Sequence, residues 1–383
     1  MQSSRRGIVD PFIVMDVLEA ARRAEADGQR IIHMEIGQPG TGAPVAARLA
    51  VARAMAAGPR GYTGALGLPA LRQGIAGLYR RWYGIDLNPE RVVVTSGSSS
   101  AFILAFTALF DAGDRVGLGE PGYPSYRQIL RALSLVPVGL PTSPANRYQP
   151  VPADLVGGLS GLILASPGNP TGTMLDRAHL TALIANCADR GIAVVSDEIY
   201  HGLHYGARGV SALEISDDVY VINSFSKYFS MTGWRIGWMV VPETQVRMIE
   251  RLAQNLFICP PHVSQIAALA ALDCTEELEA NRAVYAENRR LMMERLPKAG
   301  FDRIAPPDGA FYVYADVADL TGDSLGLAAE ILGGAGVAVT PGLDFDPVRG
   351  ATTLRFCYAR GTTEISEGLA RLTDYMARRL ARS

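Results

Sequence analysis

Cysteine is scarce in this sequence of 383 residues, and its few cysteines follow no pattern. There are four, and they lie far apart at Cys187, Cys259, Cys274 and Cys357. No two form a CxxC pair, and the spacing is not that of a disulfide framework or a zinc site. We therefore expect reduced and mostly buried thiols, as in a cytosolic protein.

The sequence also lacks a long hydrophobic run. Its most apolar stretch, residues 101–110, is about half the length that a membrane-spanning helix requires. The first residues contain two arginines but no apolar core or small-residue cleavage site of a signal peptide. These observations predict a cytoplasmic protein without a membrane partner.

The sequence also lacks an excess of either positive or negative charge. Lys plus Arg number 36 and Asp plus Glu number 38, which gives a net charge of -2. This balance offers no electrostatic reason to expect nucleic acid or an anionic membrane as a partner. Hydrophobic residues make up 48% of the chain, which is ample for a large core. The length allows more than one domain, at roughly 150 residues per domain.

From Arg91 onward, short apolar runs alternate with helical segments. The runs predict strands within residues 91–97, 114–121, 161–170, 192–198, 219–226 and 235–242, with helices at 101–110, 124–133 and 176–191 between them. Continuous Val, Ile and Leu runs are typical of strands that are buried on both faces. The alternation predicts an α/β domain with a mostly parallel sheet flanked by helices.

The last eighty or so residues have a different pattern, which predicts a smaller α+β domain. Strands are expected within residues 311–317, 336–342 and 352–359, and helices at Leu325–Leu332 and Thr363–Arg379. We divide the chain into an N-terminal arm of residues 1–42 that contributes to the small domain, a large domain of residues 43–275, and a small domain of residues 276–383.

Polar side chains follow several predicted strands directly. They are Ser98, Ser99, Ser100, Asn169, Asp197, Ser224, Ser226 and Lys227. In open parallel sheets, ligands bind beyond the carboxyl ends of the strands, so these side chains are expected to share one pocket. An amine, a carboxylate, an amide and a hydroxyl-rich helix start suit pyridoxal phosphate, which needs an imine-forming lysine, an acid at its ring nitrogen and an anion site.

Five sequence blocks carry a family resemblance. They are SFSKYFSMTGWRIGW at Ser224–Trp238, SPGNPTG at Ser166–Gly172, SDEIY at Ser196–Tyr200, GYTGALGLPALR at Gly61–Arg72 and LRFCYA at Leu354–Ala359. In content and order they resemble the class I/II aminotransferases, which have the aspartate-aminotransferase-like fold. The resemblance extends from about Gly37 to Arg355 and implies that residues 43–275 bind pyridoxal 5'-phosphate.

The resemblance implies roles around the reacting atoms. Lys227 would form the Schiff base and move a proton between the substrate Cα and the cofactor. Asp197 would pair with the pyridinium nitrogen, and Asn169 and Tyr200 would hydrogen-bond the phenolic oxygen. Tyr123 would stack on the ring.

Further implied roles concern the two anionic groups and the assembly. The phosphate would be bound by Ser98, Ser99, Ser224 and Arg235. Arg355 would bind the substrate α-carboxylate as a planar fork, with the Gly37 backbone nearby. Tyr62 would extend into the site of a neighbouring subunit, which implies a homodimer.

Simpler interpretations exist for several of these residues. The alternative role is a helix N-cap for Asp197, a structural salt bridge for Arg355, and packing in the core or on the surface for Tyr62 and Tyr123. Ser100 is expected to continue a helix. His201 and His204 form an HxxH pair without a third metal ligand in the sequence context, so we expect packing or surface polarity there.

The family implies two reactions on the same scaffold. Transfer of an amino group from an L-amino acid to a 2-oxo acid by a ping-pong mechanism is our prediction, and a carbon–sulfur β-lyase is the alternative. The segment IGQPGTGAP lacks the usual acidic residue, which argues against aspartate as donor. A regulatory module would need an appended DNA-binding domain, and a dehydrogenase would need GxGxxG after a strand. Neither feature is found.

Overall fold

The computed structural model describes residues 4–381, and the ends of the predicted N-terminal arm and small domain (residues 1–3 and 382–383) lie outside these residues. Its main sheet has seven strands in the order β2-β8-β7-β6-β5-β3-β4. They are β2 Val92–Thr95, β3 Arg115–Glu120, β4 Val136–Pro141, β5 Gly161–Ala165, β6 Ala193–Asp197, β7 Tyr220–Ser224 and β8 Gly237–Val240. Strand β8 runs in the opposite direction to the other six strands of this sheet. The predicted α/β architecture with a mostly parallel sheet is confirmed.

A second, antiparallel sheet follows in the order β12-β13-β10-β9. Its strands are β9 Arg303–Ile304, β10 Tyr312–Asp316, β12 Thr340–Pro341 and β13 Thr353–Cys357. The short strand β1 Ile32–His33 pairs in parallel with β11 Val337–Ala338, so the N-terminal segment contacts the last third of the chain. The exact domain boundaries remain a prediction.

Eleven α-helices are found within the described residues. They are α1 Ile13–Ala26, α2 Val45–Ala56, α3 Pro69–Tyr83, α4 Ser98–Leu109, α5 Pro124–Ala132, α6 Arg177–Asp189, α7 Val246–Leu256, α8 His262–Ala271, α9 Thr275–Arg295, α10 Ser324–Ala335 and α11 Thr362–Leu380. None of the helices described in residues 4–381 combines the length and apolar character needed to cross a membrane. The four cysteines are all free thiols.

The burial of the strands explains the position of the ligand crevice. All residues of β2, β7 and β8 are buried, as expected for strands covered by helices on both faces. Strands β2, β5, β6 and β7 run in the same direction, so their carboxyl ends meet at one edge of the sheet. The loops after these strands therefore lie together.

Candidate active site

A cavity of about 250 Å³ lies at this edge of the sheet. Ten of the twelve residues predicted for the site line it: Gly37, Ser98, Ser99, Tyr123, Asn169, Asp197, Tyr200, Lys227, Arg235 and Arg355. The residues come from the ends of five parallel strands and the loops after them, from the N-terminal segment and from β13. The strand-end pattern and the family resemblance together thus identified residues that the fold brings together.

Lys227 follows β7 by three residues and is partly buried. Its Nζ donates a hydrogen bond to the Gly37 carbonyl oxygen at 2.6 Å. Burial is the main reason why the pKa of this amine falls to about 8, and the nearby Arg355 and Arg235 lower it further. A minor but appreciable fraction of the amine is therefore neutral near physiological pH, and a neutral amine is both a nucleophile and a base.

The sequence contains one other lysine, Lys298. Its side chain is 64% exposed, and its Nζ lies 3.2 Å from a Glu294 carboxylate oxygen. An exposed, paired ammonium is a poor nucleophile, and Lys298 does not line the cavity. Lys227 is therefore the only lysine of this chain placed for imine chemistry. The sequence alone, with two lysines, already restricts the choice to Lys227 and Lys298.

Asp197 ends β6 and is buried in the cavity wall. Its Oδ2 accepts a hydrogen bond from the Tyr126 hydroxyl, and its Oδ1 accepts one from the Ile199 backbone N–H at 3.1 Å. Burial raises the pKa of the carboxyl to about 6, although both hydrogen bonds and the Lys227 charge oppose the rise. No cationic side chain within residues 4–381 forms an ion pair with it, so a bound cation would stabilise its ionised form.

Arg355 lies on β13 and is also buried. Its Nη1 donates to Asn169 Oδ1 at 2.9 Å, and its Nη2 donates to the Glu35 carbonyl oxygen and to Thr340 Oγ1. Its Nε is buried without a hydrogen-bond partner. In the part of the chain that the structure describes, Arg355 pairs with no carboxylate, so the structural salt-bridge alternative is not what is found. A buried guanidinium without a counter-ion favours an anionic ligand.

A second anion site is formed where α4 begins. Gly97 precedes the helix with a φ of +77°, in the left-handed region that favours glycine. A Cβ at this position would lie 2.4 Å from Arg235 Nη2, so only glycine lets the guanidinium approach the helix start. The free backbone N–H groups of Ser98 and Ser99, the helix dipole and Arg235 together suit a phosphate group.

Ser224 and Tyr62 do not line this cavity. The Ser224 side chain is buried and donates to Ser226 Oγ at 2.8 Å, while Ser226 itself lines the cavity. Tyr62 is 82% exposed on the surface of the single chain. Their predicted roles in phosphate binding and in a neighbouring site remain predictions.

The remaining alternatives concern Ser100 and the HxxH pair. Ser100 lies within α4 and its Oγ donates to the Ser96 carbonyl oxygen at 3.2 Å. His201 is buried, with Nδ1 2.6 Å from the Tyr83 hydroxyl and Nε2 2.9 Å from the Ser166 carbonyl oxygen. No group of three or more potential metal ligands occurs in residues 4–381.

Two tyrosines of the cavity were indicated neither by the strand-end pattern nor by the family resemblance. Tyr126 lies in the first turn of α5, three residues after Tyr123, a spacing that places both on one helix face. Tyr312 begins β10, and its hydroxyl lies 2.8 Å from the Tyr200 hydroxyl. Apolar side chains of the N-terminal segment, Phe12, Val14, Met15 and Ile36, complete the wall.

Comparison with known proteins agrees with this geometry. The family model described as aminotransferase class I and II matches residues 29–372. The valine–pyruvate aminotransferase of Mycobacterium tuberculosis is 46% identical, over 97% of this chain and 97% of that protein. Both matches extend over the N-terminal segment, the large sheet and the second sheet.

Solved structures show the same fold. A crystal structure from Silicibacter pomeroyi, 68% identical, superimposes with a TM-score of 0.94 and covers 99% of this chain and 100% of that chain. Aspartate aminotransferase from Thermus thermophilus with maleate, 30% identical, gives a TM-score of 0.91 over 98% and 100% of the two chains. The protein is therefore an aminotransferase, and its chain belongs to the class I and II aminotransferase family.

Proposed function

We propose that this aminotransferase holds pyridoxal 5'-phosphate on Lys227 and transfers the amino group of an L-amino acid to a 2-oxo acid in a ping-pong reaction. The observation that carries the proposal is the placement of Lys227. Of two lysines in the chain, it alone lines a cavity that also contains a carboxylate and a guanidinium without ion-pair partners among the described residues. When bound, the cofactor supplies an electron-accepting ring that stabilises negative charge at the substrate Cα.

The donor set fits each part of this cofactor. Asp197 would hold the ring nitrogen protonated, and Tyr123 would cover the ring. Asn169 and Tyr200 would donate to the phenolic oxygen. The phosphate would lie against the start of α4 and Arg235, where Gly97 leaves room for the guanidinium.

The chain's own residues then perform the proton transfer. Arg355 would hold the substrate α-carboxylate with its planar fork, which fixes the direction of the Cα–H bond. The Lys227 amine, kept partly neutral by burial, would take the proton from Cα and return it to the cofactor carbon bonded to the same nitrogen. The relatives named above are aminotransferases, which favours amino transfer over the β-lyase alternative.

The cavity wall favours an apolar donor side chain. The cations that line it are Lys227, Arg235 and Arg355, and each already has a role, so none of these remains for a second carboxylate. The first turn of α1 forms part of the wall, because the Asp344 carboxylate accepts hydrogen bonds from the backbone N–H groups of Ile13 and Val14.

This turn lies beside the α-carboxylate site. Phe345 follows Asp344, and its ring centroid is 4.7 Å from the Arg355 guanidinium carbon. A substrate held by Arg355 would therefore place its side chain near Phe12, Val14 and Met15. Because the Mycobacterium tuberculosis relative is named for valine and pyruvate, we propose valine-like donors and a pyruvate-like acceptor.

A panel of amino donors tests this proposal. In single-turnover absorbance measurements, valine is expected to convert the cofactor to its amine form with a kcat/KM at least about tenfold above that of aspartate. Met15→Arg, which adds a cation at the wall, should move the ratio towards aspartate, whereas Met248→Arg on the exposed surface should leave it unchanged. A preference of the unmodified enzyme for aspartate contradicts the donor proposal. Release of ammonia and pyruvate without the amine form would support the lyase.

We also propose that the functional unit is a cytoplasmic homodimer. Exposed apolar side chains concentrate around two segments: Val45, Leu49, Met55 and Tyr62 on one, Leu256 and Ile258 on the other. The segments touch, since His262 Nδ1 lies 2.9 Å from the Gly61 carbonyl oxygen. Apolar side chains grouped in this way favour burial against a second copy of the chain.

Light scattering on a sizing column measures the assembly. Twice the mass of one chain is expected for the unmodified protein. Met55→Glu should shift the equilibrium towards single chains, because it places a charge in the proposed interface. Val348→Glu, at another exposed apolar position, should not. A protein that elutes as single chains at all concentrations would rule out the dimer.

A further inference from the structure

We propose that Tyr312 is a positioning residue for the transfer reaction, acting on Tyr200 through its hydroxyl and on Arg355 through its ring. This inference rests on the proposed function, since Tyr200 and Arg355 are taken to bind cofactor and substrate. Tyr312 itself was not among the residues that the sequence pattern indicated.

The hydroxyl of Tyr312 has one close polar partner among the described residues. It lies 2.8 Å from the Tyr200 hydroxyl, and both side chains are buried. Burial raises the pKa of both phenols above the usual value, so both keep their protons at neutral pH. In such a pair, one hydroxyl donates to the other, and only one proton remains free for a third group.

The Tyr312 hydroxyl lies close to the backbone of Gly37, beside Lys227. A Cβ on Gly37 would lie 1.9 Å from the Tyr312 hydroxyl oxygen, so the absence of a side chain at Gly37 makes this position available. The carbonyl oxygen of the same glycine accepts the hydrogen bond from Lys227 Nζ. The tyrosine hydroxyl thus lies against the backbone that holds the lysine.

The ring of Tyr312 has a separate contact. The Arg355 guanidinium carbon lies over two rings, 4.5 Å from the centroid of Tyr312 and 4.7 Å from that of Phe345. Contact with two ring faces restricts the orientation of a guanidinium, and that orientation decides how a carboxylate is bound. The side chain of Tyr312 therefore contributes two effects that can be separated by substitution.

The direction of the hydroxyl effect follows from the donor order. If Tyr200 donates its proton to the phenolic oxygen of the cofactor, Tyr312 must donate to the Tyr200 oxygen. A donor of this kind polarises the next hydroxyl and strengthens the bond that it makes. A stronger bond to a negatively charged oxygen favours the state that has lost a proton, and so lowers the pH at which the bound cofactor titrates.

A pH titration of the cofactor's visible absorption band in the holoenzyme tests the hydroxyl. Tyr200→Phe should raise the titration midpoint by about one pH unit and Tyr312→Phe by about half a unit. On a Tyr200→Phe background, Tyr312→Phe should add no further shift, because its route through Tyr200 is gone. A midpoint unchanged by Tyr312→Phe alone, or equal shifts on both backgrounds, would overturn this part.

Steady-state kinetics test the ring. Tyr312→Phe keeps the stack on Arg355 and should leave the KM for the amino donor within about twofold, whereas Tyr312→Leu should raise it about tenfold. Equal KM values for the two variants would overturn the ring contact. If the unmodified enzyme showed no visible imine band at all, the cofactor proposal itself would fail, and that result is distinct from either outcome.

Discussion

Replacement of Lys227 by alanine is expected to abolish covalent cofactor attachment and to lower turnover by at least about 10⁴-fold. The other lysine cannot replace Lys227, because Lys298 is exposed, ion-paired and outside the cavity. The folded structure should persist, since the substitution removes one partly buried amine and a single hydrogen bond to Gly37. Absorbance spectroscopy, circular dichroism and single-turnover kinetics measure the three properties separately.

Lys298→Ala is the matched control for this experiment. It removes the other lysine of the sequence, and an exposed ion pair of this kind contributes about 0–1 kcal/mol to stability. The control should keep the visible band and normal turnover. A Lys227→Ala enzyme that also kept them would refute the role assigned to Lys227.

Asp197→Asn is expected to cause the second largest loss, about 10³-fold in kcat/KM, which corresponds to about 4 kcal/mol of transition-state stabilisation. The amide has nearly the same shape and can still accept the Ile199 N–H bond, but it carries no charge to hold a ring nitrogen protonated. Cofactor affinity should fall as well. Steady-state kinetics and cofactor titration of the apoenzyme measure both losses.

Tyr126→Phe is the control for the charge of Asp197. It removes the hydroxyl that donates to Asp197 but leaves the carboxylate, so the loss in kcat/KM should be within about tenfold.

The same carboxylate sets the direction in which cofactor affinity changes with pH. Because burial raises the Asp197 pKa to about 6, the ionised form dominates above that pH, and cofactor affinity of the apoenzyme should fall as the pH drops through about 6. An Asp197→Asn enzyme with near-normal kcat/KM would contradict the assignment.

The sequence pattern predicted the strands that are buried on both faces, but it missed strand β4 and helix α2. Strand β4 contains Pro137 and Pro141, lies at the edge of the sheet and is only partly buried, so it lacks the continuous apolar run of its neighbours. Helix α2 is rich in alanine, and its apolar residues do not form a distinct stripe. Its packing against α8 depends on contacts that are distant in sequence.

Among the residues of the site, too, some could be located from the sequence and others could not. Lys227, Asp197 and Asn169 directly follow strands, so the rule on carboxyl ends could locate them before the structure was known. Tyr312 could not be located in this way, because its place depends on the register of β10 against β13, where it lies opposite Cys357 and two residues from the partner of Arg355. Tyr126 depends on how α5 packs against β4 and α4, which brings its hydroxyl to Asp197. Both positions follow from tertiary packing.

The central claim is that Lys227 forms the imine with the cofactor, and reduction with borohydride followed by peptide mass spectrometry tests it most directly. Borohydride converts an imine into a stable amine, so the cofactor mass stays on the lysine that carried it. The account predicts one labelled peptide, containing Lys227, in the unmodified enzyme and in Lys298→Ala, and no label in Lys227→Ala. A label on the peptide that contains Lys298, or an unlabelled enzyme that is fully active, would contradict it.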